Sequence, residues 1–282
     1  MRSTLRPLTA LSFLLVAATL AHGAGKVFVV EQASPGIDGD SIPNALLQAG
    51  DGDTILVKPG AYATATVTKG VALVGDVGAT GARPTLRHVF VQGVPATSRV
   101  LLRGLEIEAP NAIGGGATAL EIDQCAAAVL VEDCSVRIAG AASQNSPSVF
   151  VRGSARVVIT RTEIRGNEGV GVLAGRGVRA ENSDVSLYSC EVRGGRGFDA
   201  NPFPFAPTPA EDGAVAIDVV GGRLLLAGTS VTGGDGGHGI VGPTGCLAAG
   251  DGAVGLRLDG GAAAHRLYTS IAGGAAGVDA AG

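Results

Sequence analysis

The sequence predicts an all-β protein, a single-stranded right-handed parallel β-helix (a solenoid) with an N-terminal capping helix. A short motif recurs six times, and alignment of its sixth residue gives spacings of 29, 28, 28, 39 and 40 residues. Self-similarity at this period indicates stacked repeats that each contact only their neighbours. The copies are Val100–Ile107, Val129–Val136, Val157–Ile164, Val185–Val192, Leu224–Val231 and Ala264–Ile271, aligned on Leu105, Cys134, Thr162, Cys190, Thr229 and Thr269.

Each copy contains two runs in which apolar residues alternate with the period of a strand. In the third copy Val157 and Ile159 form one run, and Thr162 and Ile164 form the other, shifted by one residue. This slip indicates a bend between two strands. A third alternating run precedes most copies, at Ala119–Ile122, Val149–Val151, Val215–Ile217 and Val254–Leu258. Three strands therefore make one coil, and seven or eight coils about 4.8 Å apart would form a rod roughly 35–40 Å long.

The same register predicts which side chains face outward. The residues two places past the aligned position are expected inside the rod, and the next ones outside. The inner set includes Val136, Ile164, Val192 and Val231, and the outer set includes Arg137, Arg165 and Arg193. The arginines fit either a solvated sheet face that discourages aggregation or a strip that binds a sugar acid or sulfate. Glu163 and Glu191 would partly neutralise such a strip.

The chain begins with a segment typical of a secretory signal peptide. Arg2 and Arg6 precede the apolar run Leu8–Leu20, and small residues follow at 21–24. The run is shorter than the roughly 20 residues of a membrane span, and no further candidate span follows. We therefore expect residues 1–24 to be removed, residues 25–282 to form one β-helix domain, and the protein to be secreted or to reside at the cell surface or in the periplasm.

The composition of the chain limits the classes of molecule that the protein is expected to bind. A net charge of −4 and an aromatic content of 4% argue against nucleic acid, whose binders carry basic faces. An extracellular polysaccharide remains the expected partner, and the sequence leaves the oligomeric state open. Cys134 and Cys190 occupy one stack position two coils apart, about 9.6 Å, beyond the roughly 7 Å that a disulfide spans. We expect both to be buried and unbridged, while the pairing of Cys125 and Cys246 stays open.

The N-terminal region resembles that of a known protein family. Ser41–Gln48 is predicted to form a short amphipathic helix with Ser41 as its N-cap. Residues 50–62 (GDGDTILVKPGAY) and 67–76 (VTKGVALVGD) follow it. This stretch resembles the cap and first coil of the pectin-lyase-like superfamily. The resemblance covers about 26–76 closely, with repeats continuing over about 85–276. It implies a parallel β-helix but not one activity, since that superfamily includes lyases, glycoside hydrolases, epimerases and adhesins.

The motifs of polygalacturonases in that superfamily are matched only in part. Gly237-His238-Gly239 matches one motif, Glu211-Asp212 stands where an acidic pair would be, and no Asn-Thr-Asp occurs. Asp212, Asp235 and His238 are thus weak catalytic candidates, and we expect His238 to be exposed with no carboxylate held against it. Uronate lyases would need acidic residues holding Ca²⁺, and the sequence shows no tight acidic cluster. We expect no metal or other cofactor, with Ca²⁺ relevant only to a lyase.

The two long spacings reflect insertions at about 199–212 and 235–251. Insertions in repeat proteins commonly emerge as loops on a binding face. The first contains Phe203 and Phe205 among four prolines, and these rings are candidates to stack on sugars or to cover the rod. Two hypotheses follow: an exported polysaccharide-associated binding or structural protein, or a polysaccharide lyase or glycoside hydrolase with an atypical site near the insertions.

Overall fold

The computed structural model describes residues 25–32, 37–38, 41–78, 81–110, 118–139, 146–167, 174–201, 208–242 and 245–278, with backbone only at 37–38, 241–242 and 245–246. The predicted signal peptide lies outside them. In this part of the chain there is one helix, α1 (Ser41–Gln48), and the following strands. They are β1 (Val27–Val30), β2 (Ile37–Asp38), β3 (Thr54–Val57), β4 (Ala61–Val67), β5 (Ala72–Gly75), β6 (Thr85–Gln92), β7 (Arg99–Arg103), β8 (Glu106–Ala109), β9 (Leu120–Asp123), β10 (Ala128–Glu132), β11 (Ser135–Ile138), β12 (Val149–Arg152), β13 (Arg156–Thr160), β14 (Glu163–Arg165), β15 (Val178–Tyr188), β16 (Glu191–Arg193), β17 (Ile217–Ala227), β18 (Ser230–Thr232), β19 (Ile240–Gly242), β20 (Gly245–Leu247), β21 (Leu256–Asp259), β22 (Ala263–Leu267) and β23 (Ser270–Ala272).

All strands except the antiparallel pair β19–β20 belong to one 21-stranded parallel network. It consists of three ladders that run along the rod. Ladder A contains β1, β3, β5, β7, β10, β13, the second halves of β15 and β17, and β22. Ladder B contains β2, the first residues of β4 and β6, β8, β11, β14, β16, β18 and β23. Ladder C contains the second halves of β4 and β6, β9, β12, the first halves of β15 and β17, and β21. The predicted parallel β-helix is confirmed.

In the six coils that carry the motif, two corners contain a residue with positive φ, and at two C–A corners a second glycine, Gly222 or Gly261, also has positive φ. Between ladders A and B this residue directly precedes the aligned position, so the predicted one-residue slip is a left-handed corner. Such a residue redirects the chain without adding a loop. The A–B corners are Gly104, Asp133, Arg161, Ser189, Gly228 and Tyr268, and the C–A corners are Gly93, Gln124, Gly153, Asn182, Gly221 and Gly260.

The core is a narrow column of aliphatic side chains inside the ladders. Val136, Ile164, Val192 and Val231 are buried, as the register predicts. Because each coil contributes one residue per position, the burial of apolar surface continues along the whole stack.

The aligned position forms a small polar column within this core. Cys134, Thr162, Cys190 and Thr229 stack in order, and the hydroxyl of Thr162 accepts a hydrogen bond from the amide of Cys134 at 3.3 Å. Cys134 and Cys190 are buried and free, which confirms the prediction for this pair. Cys125 is also buried and free, whereas the side chain of Cys246 lies outside the described set.

Helix α1 covers the first coil, as expected for a cap. Ile42, Ala45 and Leu46 are buried against the end of the core. The ammonium group of Lys69 donates hydrogen bonds to the carbonyls of Leu46, Leu47 and Ala49 at 3.1, 3.1 and 2.7 Å. A cation at this position satisfies the last carbonyls of the helix and complements its dipole. Within the described residues no helix is long and apolar enough to cross a membrane.

The described flanks of the two insertions are not irregular loops, and residues 202–207 and 243–244 lie outside the described residues. Together with neighbouring glycine-rich segments, these flanks form an arm of two layers beside ladders B and C. The outgoing layer contains 194–201, 233–239 and 272–278, and the returning layer contains 174–177, 208–216 and 248–255. Within the outgoing layer every third amide donates to the next coil: Gly194 to Thr232, Gly197 to Asp235 and Ala200 to His238. A three-residue repeat without internal hydrogen bonds is typical of polyproline II chains.

Glycine is required where the two arm layers meet. The amide of Gly234 donates to the carbonyl of Ala214 at 2.8 Å, and the carbonyl of Gly234 accepts from Ala253 at 2.9 Å. A Cβ atom on Gly234 would lie 1.8 Å from the carbonyl oxygen of Gly195. The arm therefore needs glycine for close backbone approach, and most of its glycines serve this purpose instead of turning corners.

Candidate functional site

The two aspartates proposed as catalytic residues hold the arm together. Asp212 accepts a hydrogen bond through Oδ1 from the amide of Asp251 at 2.7 Å. Asp235 does the same for the amide of Ala275, also at 2.7 Å. Both side chains are exposed, and each satisfies a backbone amide one coil further along. These carboxylates have a structural explanation that requires no substrate.

His238 plays a similar part. It is exposed, as predicted. Its Nδ1 accepts a hydrogen bond from the amide of Val278 at 3.1 Å, and its own amide donates to Asp199 Oδ1 at 2.8 Å. The ring lies in a glycine-rich segment, but the hydrogen bond from Val278 holds it in place. The adjacent carboxylate of Asp199 binds the backbone of His238 and not its ring.

The second set of candidates, the arginines on the outer face of ladder B, is neutralised. Arg137 pairs with Glu108 at 2.5 Å and with Glu106 at 3.1 Å. The other two pair within their own strands: Arg165 with Glu163, and Arg193 with Glu191 at 2.7 Å. Ladder B thus presents the solvated, charge-balanced face that was one of the two interpretations. Phe203 and Phe205 lie outside the described residues.

Ladder C carries a group of residues that the sequence analysis did not single out. Phe90, Glu121 and Phe150 occupy one outward position on successive coils. All three side chains are half-buried. The carboxyl group of Glu121 has no hydrogen bond or ion pair to any described residue. Burial between its neighbours, with a smaller contribution from the charge of Asp123, raises the pKa of Glu121.

A second carboxyl group lies two residues further along the same strand. Asp123 accepts two hydrogen bonds from Arg152, at 2.8 and 3.0 Å, and its side chain is 14% exposed. The hydrogen bond from Arg152 is the main reason why the pKa of Asp123 is lowered. The guanidinium carbon of Arg152 lies 5.8 Å from the ring centroid of Phe150. We call Phe90, Glu121, Asp123, Phe150 and Arg152 the ladder C patch.

Further along ladder C, the charged side chains form ion pairs with one another. Arg179 pairs with Glu181 at 2.5 Å, and Asp218 pairs with Arg257 at 2.6 Å and Arg176 at 3.2 Å. Burial opposes ionisation of the fully buried Asp218, but the arginines, Arg257 foremost, outweigh it and lower its pKa. Among the described acids on this face, Glu121 is therefore the exception that has no hydrogen bond or ion pair with a basic residue, although the nearby charge of Arg152 acts to lower its pKa.

The ladder C patch could not be recognised from spacing alone. Its aromatic and acidic residues come from three coils, and only the register of β6, β9 and β12 brings them side by side. A signal in the sequence is the third alternating run, in which Glu121 and Phe150 fall at equivalent outward positions of successive coils. In the described part of the chain, no group of three or more His, Cys, Asp or Glu residues could hold a metal ion.

Comparisons with known proteins bear on the fold only. No protein-family model matches the chain, and no curated protein matches it in sequence. Two solved structures are similar: Escherichia coli YbhC is 14% identical, with 72% of this chain and 73% of that chain covered and a TM-score of 0.34. Pectate lyase Pel9A is 12% identical, with 88% and 78% covered and a TM-score of 0.31. Such values transfer neither activity nor substrate, and the β-helix is established here by the strand register.

Proposed function

We propose that this protein is an exported, polysaccharide-associated protein that binds a glycan along the outer face of ladder C, at the ladder C patch. The observation that supports this most is the carboxyl group of Glu121, half-buried between Phe90 and Phe150 without a partner among the described residues. Among the described residues, the side-chain atoms that are fully buried without a hydrogen bond do not include the oxygens of Glu121. These oxygens are therefore accessible and can accept a hydrogen bond from a sugar hydroxyl.

The chemistry of the patch suits a sugar. Ligand sites combine apolar and aromatic surface with a few polar groups that fix orientation. Phe90 and Phe150 supply the apolar surface two coils apart, about 9.6 Å. Glu121 and Arg152 supply an acceptor and donors between and beside them. Because equivalent outward positions repeat from coil to coil along the rod, the outer face of ladder C suits an extended polysaccharide chain better than a compact ligand.

Export is the second part of this proposal, and it rests on the N-terminal segment. A basic start, a short apolar run and small residues at 21–24 are typical of a cleaved signal peptide. Expression of the full chain, followed by fractionation and N-terminal sequencing, tests it. We expect a mature protein that begins near residue 25; an uncleaved intracellular protein would contradict export.

A second candidate function, glycosidic bond hydrolysis, has one observation in its favour. Glu121 and Asp123 lie two residues apart on one strand, about 6.6 Å between Cα atoms, and their pKa values shift in opposite directions. Carboxyl groups whose environments move their pKa values apart are candidates for the roles of acid and base. In these roles Glu121 would give a proton to the leaving oxygen, and Asp123 would accept one from the attacking water. The enzymatic alternative thus moves from the insertions to ladder C.

Glycan binding by defined variants tests the main proposal. We would measure affinity electrophoresis and calorimetric titration against a panel of polysaccharides, using Phe150→Ala, Glu121→Gln and the control Glu163→Gln on ladder B. We expect Phe150→Ala to weaken binding of the best ligand about tenfold, which is 1.4 kcal/mol, with the control unchanged. Equal affinity of Phe150→Ala, Glu121→Gln and the wild type would contradict the ladder C patch. Release of reducing ends by the wild type but not by Glu121→Gln would support hydrolysis.

A further inference from the structure

Two neighbouring cavities, of about 480 and 410 Å³, lie over the outer face of ladder A, away from the ladder C patch. Arg156 lines both of them, and we call the two cavities together the groove on ladder A. The floor consists of outward side chains of the ladder, among them Leu101 and Leu225. Leu130, Val158 and Ser186 occupy the same position on the coils between and are half-buried. The floor is therefore aliphatic from Leu101 to Val158, and Ser186 interrupts it before Leu225.

One rim of this groove carries an arginine on every second coil. Arg99, Arg156 and Arg223 share one register position, with Ala128 and Asp184 on the coils between them. Two coils correspond to about 9.6 Å. The rim thus repeats a positive charge at a regular interval, and the strand register alone sets that interval.

Two of these arginines carry uncompensated charge. Arg99 and Arg156 are exposed, and neither has an ion pair or a side-chain hydrogen bond with any residue that the structure describes. Arg223, by contrast, is paired with Asp184, with Nε 3.0 Å from Oδ1. The exposed arginines of ladder B and those near the A–B corner are also paired. Arg99 and Arg156 line the first cavity together with Asp53, whose carboxylate accepts hydrogen bonds from the amides of Lys26 and Gly50. An anion bound in this cavity could form ion pairs with the two arginines.

We propose that the groove on ladder A binds a linear acidic polysaccharide. Its carboxylate or sulfate groups pair with Arg99 and Arg156, and its sugar rings lie on the aliphatic floor. Guanidinium groups match the planar geometry of such anions. This site is separate from the ladder C patch and needs neither its residues nor its ligand.

The spacing of the arginines along the rim suits a polysaccharide better than a nucleic acid. Duplex DNA carries one charge per about 1.7 Å of its axis, far denser than arginines about 9.6 Å apart. The described lining residues of the groove include no Phe, Tyr or Trp side chain on which bases could stack. A polymer with widely spaced negative charges on otherwise neutral rings fits the rim better.

Binding of three defined polymers tests the proposal: polygalacturonate, dextran sulfate and neutral dextran, each at low and high salt. We expect the wild type to bind one or both acidic polymers and not neutral dextran, with affinity falling as salt rises. The double variant Arg99→Ala/Arg156→Ala should bind at least tenfold more weakly. Asp184→Asn should bind more tightly, because it frees Arg223 and removes a negative charge from the rim.

Two controls separate this site from general charge and from the ladder C patch. Arg87→Ala removes an exposed arginine elsewhere on the rod and should leave binding unchanged. Glu121→Gln should also leave it unchanged. The proposal is overturned if the wild type ignores both acidic polymers, or if the double variant binds as the wild type does. Loss in Arg87→Ala equal to that in the double variant, or equally tight binding of single-stranded DNA, would likewise overturn it.

Discussion

Replacement of Gly234 by alanine tests whether the glycine-rich arm depends on close backbone contact. The added Cβ would lie 1.8 Å from the oxygen and 2.6 Å from the carbon of the Gly195 carbonyl, and 2.8 Å from the Ala214 amide nitrogen. These are backbone atoms that cannot rotate away. The layers must separate, which breaks the hydrogen bonds from Gly234 to Ala214 and from Ala253 to Gly234.

The expected loss follows from those two bonds. Each contributes about 1 kcal/mol, and a buried group left without a partner costs about 1–3 kcal/mol. Alanine also restricts the unfolded chain, which returns about 0.5 kcal/mol. We therefore expect Gly234→Ala to lower the free energy of unfolding by about 2–4 kcal/mol, measured by urea denaturation. If the arm opens separately from the rod, the loss should appear as faster hydrogen exchange at the amides of Gly234 and Ala253.

Gly273→Ala provides the matched control. It makes the same chemical change in the same arm, but its Cβ would have only the Ala253 oxygen nearby, at 3.4 Å. We expect it to change stability by less than about 0.5 kcal/mol, as surface substitutions usually do. Equal stability and equal exchange in the two variants would refute the reasoning that backbone contact makes glycine necessary at Gly234.

Two further predictions concern the core. Ile164→Asp should abolish folding, because a buried unpaired charge costs several kcal/mol and the total free energy of unfolding of a protein is small. The control Thr232→Asp, on the outer face, should fold. Circular dichroism measures both, and a folded Ile164→Asp would contradict the register. Cys134 and Cys190 should resist alkylation in the native protein, because both are buried and burial raises the pKa of Cys134 to about 11. Both thiols are free, so they should react once the protein is unfolded without reductant. Intact mass measurement checks this, and a Cys134–Cys190 crosslink would contradict it.

The sequence determined the β-helix because that fold is written in local periodicity. Alternation with a period of two identifies each strand, and the one-residue slip identifies the corner before Cys134 or Thr162. The inward position of Ile164 and the outward position of Arg165 follow from counting. Helix α1 was likewise predictable, since its cap and apolar spacing lie within eight residues.

The tertiary structure alone decided which side chains meet across coils. The roles of Asp212 and His238 depend on amides about 40 residues away, and the insertions conceal their three-residue bonding pattern until the layers are assembled. The partners of Arg137 lie 29 and 31 residues earlier. Glu121 between two phenylalanines, and Arg99 and Arg156 on one rim, arise in the same way. Periodicity fixes the face on which a residue lies, but charge compensation and burial depend on neighbours that only the stacking of coils supplies.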